Sequence, residues 1–158
     1  MFCRNFGNAN ICSLDISKAF DNVSHTTLLY KLMDFHLPKK LIILLANWLP
    51  FCSTCVRWDN ILSDMFCIQR GVRQGSVLAP LLFILYVDSI LNLTDKHLRI
   101  HILMYADDIV IITARVSDLI CALHSIESEL RHLSLSLNPN KTFCIRLGKD
   151  IMITFHQL

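Results

Sequence analysis

The chain has 158 residues, 53% of them hydrophobic and 18% charged, which is enough apolar material for one domain with a sizeable core and too much for a disordered tail. Its formal net charge of +2 excludes a broadly basic surface, so any contact with a polyanion must be local. Cys3, Cys12, Cys52, Cys55, Cys67, Cys121 and Cys144 are odd in number, irregularly spaced and mostly set in apolar runs, which suits reduced core thiols in an intracellular protein rather than a disulfide framework.

Residues 1–10 have neither a basic start nor an apolar h-region, so no signal peptide is expected. The apolar runs Leu41 to Leu49 and Val77 to Leu93 are too short or are broken by Pro80 and Asp88, so no membrane span is expected either. Cys52-Ser-Thr-Cys55 has the spacing of half a zinc site or of a redox pair, but no second half with ligand spacing follows it, so a structural role is expected. His97 and His101 are four apart with the second in a predicted strand, where that separation is about 13 Å, too far to share an ion.

Taken in order, Asn10 to Asp15 reads as a short strand that delivers Asp15 at its end, followed by Ile16-Ser-Lys-Ala-Phe-Asp21 as an irregular turn. Ser24 is a plausible N-cap for a helix over Thr27 to Phe35, and Pro38 starts a second helix that runs to about Trp48 before Pro50. Ser53 to Trp58 and Ile61 to Gln69 resemble two strands joined at Asp59-Asn60. Arg70-Gly-Val-Arg-Gln-Gly-Ser-Val-Leu-Ala-Pro80 clusters glycines and polar donors ahead of the apolar segment Leu81 to Leu93. That composition suits a loop that approaches a ligand closely and feeds a helix.

Ile100, Ile102 and Met104, then Ile109 to Ile112, read as a hairpin whose turn carries Asp107 and Asp108 outward from a buried sheet. Adjacent carboxylates at such a surface are costly unless a cation meets them, although on this stretch alone a plain acidic turn remains open. Ser117 is the expected cap of a helix with Leu119, Ile120, Leu123, Ile126, Leu130 and Leu133 in the core. Asn138-Pro-Asn-Lys-Thr142 is a turn presenting Lys141, and Phe143 to Leu147 and Ile151 to Phe155 read as a closing pair of strands around Gly148.

The expected class is therefore α+β, with helices on one face of a small antiparallel sheet. If the strand ending at Asp15 lies beside the central hairpin, three carboxylates converge. Hard oxygen donors without a histidine or cysteine set favour Mg²⁺ or Mn²⁺, and two such ions about 4 Å apart steady the attacking and leaving oxygens of phosphoryl transfer.

Four motifs in order carry a resemblance. Leu14-Asp-Ile-Ser-Lys-Ala-Phe-Asp21, Gly71-Val-Arg-Gln-Gly-Ser-Val-Leu-Ala-Pro-Leu-Leu-Phe83, Tyr105-Ala-Asp-Asp108 and Leu137-Asn-Pro-Asn-Lys-Thr142 resemble those of the reverse transcriptase palm, most closely in non-LTR (LINE-type) retrotransposons. The resemblance implies a single domain over 1–158, with a polymerase palm at about residues 10–147 and most of the fingers and thumb missing. It implies that Asp15, Asp107 and Asp108, with the backbone carbonyl of Ile16, hold two Mg²⁺ ions. It implies that Phe20 is a gate leaving no room for a 2′-hydroxyl, that Gln74 and Gly75 line the nucleotide and template pocket, and that Lys141 lies near the leaving pyrophosphate. The implied reaction is attack of a DNA primer 3′-hydroxyl on the α-phosphate of a dNTP, with RNA as template. The rival readings are a catalytically inactive retroelement remnant that at most binds nucleic acid weakly, and a metal-dependent phosphohydrolase.

Overall fold

Alternating side chains in Ile-Cys-Ser-Leu-Asp have the period of a half-buried strand. In the computed structural model Asn8–Asp15 forms β1, with Cys12 and Leu14 buried and Ser13 and Asp15 on the opposite face. The structure describes residues 8–51, 53–94, 100–148 and, as backbone, 153–156. After β1 come α1 (His25–Asp34), α2 (Lys39–Trp48), β2 (Ser53–Thr54), β3 (Arg57–Trp58), β4 (Ile61–Leu62), β5 (Phe66–Cys67), α3 (Ala79–Val87), β6 (His101–Tyr105), β7 (Asp108–Thr113), α4 (Val116–His132), β8 (Phe143–Gly148) and β9 (Ile153–His156). Single 3-10 segments occupy Phe20–Asn22, Leu49–Phe51, Asp88–Leu93 and Pro139–Lys141.

The chain forms two compact units, one from the described residues up to Ala19 and from Val87 onward, the other from Phe20–Tyr86. In the first, the expected antiparallel sheet has five strands in the order β6-β7-β1-β8-β9. Register aligns Ile102, Ile111, Cys12 and Cys144 as one inward row across four strands. Helix α4 lies on β1 and β7, where Leu119, Ala122, Ile126 and Leu130 are buried. Full burial of each large apolar side chain contributes about 1.5–3 kcal/mol, so this layer is what holds the carboxylate-bearing strands in place.

Three expectations for this unit are corrected. Helix α4 is capped at Arg115 without a side-chain cap bond, and Ser117 lies within its first turn, its hydroxyl donating to Asp118 Oδ1 at 3.3 Å. The buried Asp118 instead pairs with Arg115 Nε at 2.9 Å, which turns that polar group toward Arg115 and leaves Ser117 outside the cap position. Ile120 is exposed and Leu123 half-buried, because at 100° per residue they fall beside the stripe that Leu119, Ile126 and Leu130 define. The third correction concerns thiols: Cys12 and Cys144 stand opposite one another on β1 and β8, Cα atoms 4.1 Å apart, and are joined as a disulfide. Sequence separation of 132 residues hides that pairing, since strand register creates it. Cys55, Cys67 and Cys121 are free and exposed. Cys52 and His97, on which two sequence readings rest, lie outside the described residues.

In the second unit Ser24 caps α1 as expected, its hydroxyl accepting from Thr27 N at 3.4 Å. Leu28 and Leu32 of α1 and Ile42 and Leu45 of α2 are buried. The turn at Asp59-Asn60 is present, with Asp59 at φ +50°, but the hairpin is shorter than expected: its ladder splits into β2 with β5 and β3 with β4. The interruption has a local cause. Ser63 Oγ accepts from Val56 N at 2.9 Å and donates to the Asp64 carbonyl at 2.9 Å, so a side chain replaces part of the ladder. Helix α3 begins at Ala79, two residues ahead of the expected segment, and gives way to a 3-10 segment at Asp88.

Tyr86 of α3 is fully buried, and burial lifts its phenol above the ordinary value, opposed by the Ser24 amide that its hydroxyl accepts. The folded chain thus keeps this proton to higher pH than the unfolded chain does. Its contribution to stability is intact below about pH 10 and is lost as pH rises through the folded pKa. Unfolding free energy should therefore fall across the alkaline range, and Tyr86→Phe should flatten part of that slope; equal slopes in urea titrations would rule Tyr86 out as the source. Among the described residues no helix is long and apolar enough to cross a membrane.

Candidate active site

Tyr105 pairs with Asp108, so the connection between β6 and β7 is the two-residue turn Ala106-Asp107. Of those two only Ala106 has positive φ, +52°, the sign pattern of a II′ hairpin turn, whose twist matches its flanking strands. An alanine in that region costs on the order of 1 kcal/mol, which the well-packed hairpin sustains. Asp107 is half-buried in the turn and Asp108, first residue of β7, is exposed. Directly opposite Asp108 in the ladder is Asp15, last residue of β1. Opposed residues share a face with Cβ atoms about 5 Å apart, and like charges there repel.

A third segment closes on Asp15. Ser17 N donates to the Ser136 carbonyl at 2.8 Å, the buried Ile16 bridges to Leu137, and Asn138 N donates to the Asp15 carbonyl at 2.8 Å. Asn138 then caps the Pro139–Lys141 turn, its Oδ1 accepting from Asn140 N at 3.2 Å, while its Nδ2 donates to Asp15 Oδ2 at 3.1 Å. Lys141 Nζ stands 3.6 Å from Asp15 Oδ1. Each oxygen of the Asp15 carboxylate therefore has its own partner, an amide on one and an ammonium on the other. In sequence the turn presents Lys141 and gives Asn138 no site role; an Asn before Pro-Asn is an Asx-turn and cap signal, which fixes its backbone role but not its reach to Asp15.

Phe20, Gln74 and Gly75 belong to the second unit. Phe20 opens a 3-10 turn, half-buried, its ring centroid 4.9 Å from that of Phe83. The following loop is fastened to this turn by backbone: Gly71 N donates to the Val23 carbonyl and Val72 N to the Phe20 carbonyl, each at 2.8 Å. His25 Nε2 lies 2.7 Å from the Gly71 carbonyl and, since a carbonyl only accepts, carries the proton. Gln74 Nε2 donates to Asp21 Oδ1 at 3.1 Å. Gly75 is exposed at φ +83° with open space where a Cβ would stand. A cavity of about 430 Å³ is lined in part by Asp21, Trp48, Arg70, Arg73 and Gln74. Nothing in the sequence spacing of His25 marks a bond to a loop 46 residues away.

The first unit thus brings together Asp15, Ile16, Asp108 and Lys141, with Asp107 in the adjoining turn, and the second brings together Phe20 and the Gln74 loop. Among the described residues no group of three or more His, Cys, Asp or Glu side chains is arranged to hold a metal ion.

Residues 3–150 match the family described as reverse transcriptase (RNA-dependent DNA polymerase). The chain belongs to the reverse transcriptase family. Within it, the polyprotein of the type-2 retrotransposable element R2DM of Drosophila melanogaster is 29% identical over 149 residues, which are 90% of this chain and 14% of that one. The RNA-directed DNA polymerase of the mobile element jockey from Drosophila funebris is 34% identical over 111 residues, 66% of this chain and 12% of its own length. The resemblance to non-LTR retrotransposon polymerases is borne out by both, and the chain spans about a seventh or less of their length. In fold, telomerase of Candida Tropicalis, solved with a fragment of telomeric RNA, superposes with a TM-score of 0.73 at 18% identity over 95% of this chain and 28% of that one. The palm-like α+β architecture is the shared feature.

Proposed function

We propose that this chain is the nucleotidyl-transfer palm of an RNA-directed DNA polymerase, which joins a dNTP to a DNA primer 3′-hydroxyl opposite an RNA template and releases pyrophosphate. The observation that carries the reading is the β1–β7 register, in which Asp15 stands opposite Asp108 with Asp107 in the adjoining turn.

The donor set fits a hard divalent cation. Magnesium is held by one or two carboxylates together with substrate phosphates rather than by an all-protein cage, so the opposed aspartates Asp15 and Asp108 suit it. Asp15, Asp107, Asp108 and the Ile16 carbonyl would hold two Mg²⁺ ions, with Mn²⁺ an alternative, which would supply charge neutralisation at the attacking and leaving oxygens.

The chain's own residues supply the rest. Asn138 fixes the Asp15 carboxylate through Oδ2, so the orientation of that ligand does not depend on substrate. Lys141 Nζ is the proton source for the leaving pyrophosphate oxygen. Phe20, braced by Phe83, excludes a 2′-hydroxyl and selects deoxynucleotides, while Gln74 and Gly75 line the nucleotide and template pocket.

Primer extension on an RNA template with Mg²⁺ tests this directly. Asp107→Asn should reduce extension at least ~10³-fold, since it removes charge that acts at the transition state. Absence of extension by the unaltered chain, or extension indifferent to the substitution, would favour an inactive remnant. Release of inorganic phosphate instead of pyrophosphate would favour a phosphohydrolase.

A further inference from the structure

We propose that Asp21 is a positioning residue for the nucleotide loop, its carboxylate fixing which end of the Gln74 amide is offered to the incoming nucleotide; the inference rests on the polymerase reading above. An ionised carboxylate only accepts hydrogen bonds, whereas the two ends of a glutamine amide are a donor and an acceptor of nearly equal size. Gln74 Nε2 at 3.1 Å from Asp21 Oδ1 is therefore the one polarity that this contact allows, since the flipped amide would set oxygen against oxygen. The amide oxygen of Gln74 is left to face a ligand as an acceptor.

Fixing a side chain requires that its partner not drift, and the surrounding backbone meets that requirement. Gly71 sits so close to Asp21 that an added Cβ would lie 2.8 Å from the Asp21 carbonyl oxygen and 2.9 Å from its Cα. Two backbone bonds at 2.8 Å join Gly71 and Val72 to Val23 and Phe20, and His25 Nε2 holds the Gly71 carbonyl at 2.7 Å. The Phe20–Asp21 turn and the Gly71–Gln74 segment consequently behave as one piece. The proposed sugar gate, Phe20, and the proposed pocket residue, Gln74, are thereby tied to each other through Asp21.

The test is a kinetic cycle with an amide probe. For the unaltered chain, Asp21→Ala, Asp21→Asn, Gln74→Ala and the Asp21→Ala/Gln74→Ala pair, dNTP KM and kcat are measured in primer extension. The contact is exposed, so solvent screens it, and Asp21→Ala should raise KM about threefold with kcat little changed. Asp21→Asn keeps the shape but pairs with the amide in either direction, so it should raise KM nearly as far. The double variant should be no worse than Gln74→Ala, because Asp21 acts through Gln74 alone.

A wild-type KM in Asp21→Asn, or additive losses in the double variant, would overturn the proposal. If the unaltered chain extends no primer, the failure belongs to the polymerase reading, and side-chain amide NMR of the free protein still decides the contact. A Gln74 Nε2 proton that exchanges slowly and loses that protection in Asp21→Ala supports it; the signals of a freely rotating amide in the unaltered chain overturn it.

Discussion

Replacing Asp15 with asparagine is expected to lower primer extension at least ~10³-fold while shifting the unfolding free energy by no more than about 1 kcal/mol. The two effects separate because different interactions carry them. Asp15 is 18% exposed and bonded to Asn138, and its ion pair with Lys141 spans 3.6 Å to a side chain that is 68% exposed, so solvent screens much of that attraction. Against its loss stands relief of repulsion from Asp108 directly across the ladder. Asparagine keeps the shape and retains an oxygen for Asn138 Nδ2, so the strand end stays put.

The charge that the proposed chemistry requires at this strand end is gone, however. Thermal melts with and without added Mg²⁺ complete the measurement. The unaltered chain should be stabilised by the ion through mass action, and Asp15→Asn should lose most of that shift. Full extension by a folded Asp15→Asn chain would remove Asp15 from the proposed centre.

Much of this centre was legible because its parts are local. Two apolar runs broken by two acids define the β6–β7 hairpin, and the alternation from Ile11 to Asp15 places Asp15 on the face opposite Leu14 without knowledge of any other strand. Ser24 was readable as a cap because Thr27 supplies the matching amide; Ser117 was not, because its neighbours Arg115 and Asp118 pair with each other.

What escaped was set by register between distant segments. Cys12 and Cys144 look like two separate core thiols until β1 and β8 are laid side by side, and Asn138 looks like an ordinary turn residue until the Ile16–Leu137 bridge brings its amide to Asp15. The hairpin at 53–69 reads as continuous because its residues favour strands, and the capture of Val56 by the Ser63 hydroxyl leaves no trace in that pattern. Order along the chain therefore shows which side chains face the sheet's open side, and only pairing shows which of them hold one another.

The second large effect is expected at Gly71, where alanine should destabilise the chain by about 3 kcal/mol or more, and Gly75 supplies the comparison that isolates the cause. Both glycines have left-handed φ, +92° and +83°, so both substitutions incur the conformational penalty of about 1–2 kcal/mol for an L side chain in that region. Around Gly75 there is open space, and the penalty should end there. A Cβ at Gly71 would instead meet the Asp21 carbonyl oxygen at 2.8 Å, Asp21 Cα at 2.9 Å and the Phe20 carbonyl oxygen at 2.9 Å.

All three of those atoms are backbone, so no rotamer change relieves the contact. The loop must lift from the 20–21 turn and strain the bonds from Gly71 and Val72 to Val23 and Phe20. Urea unfolding of the two variants should separate them clearly, with Gly71→Ala showing the lower midpoint at similar slope. Equal midpoints would mean that the loop is not seated on that turn. The same lift would carry Gln74 away from Asp21, so a Gly71→Ala chain that still folds should also show the raised nucleotide KM of Asp21→Ala, linking the packing of one glycine to the geometry of the pocket.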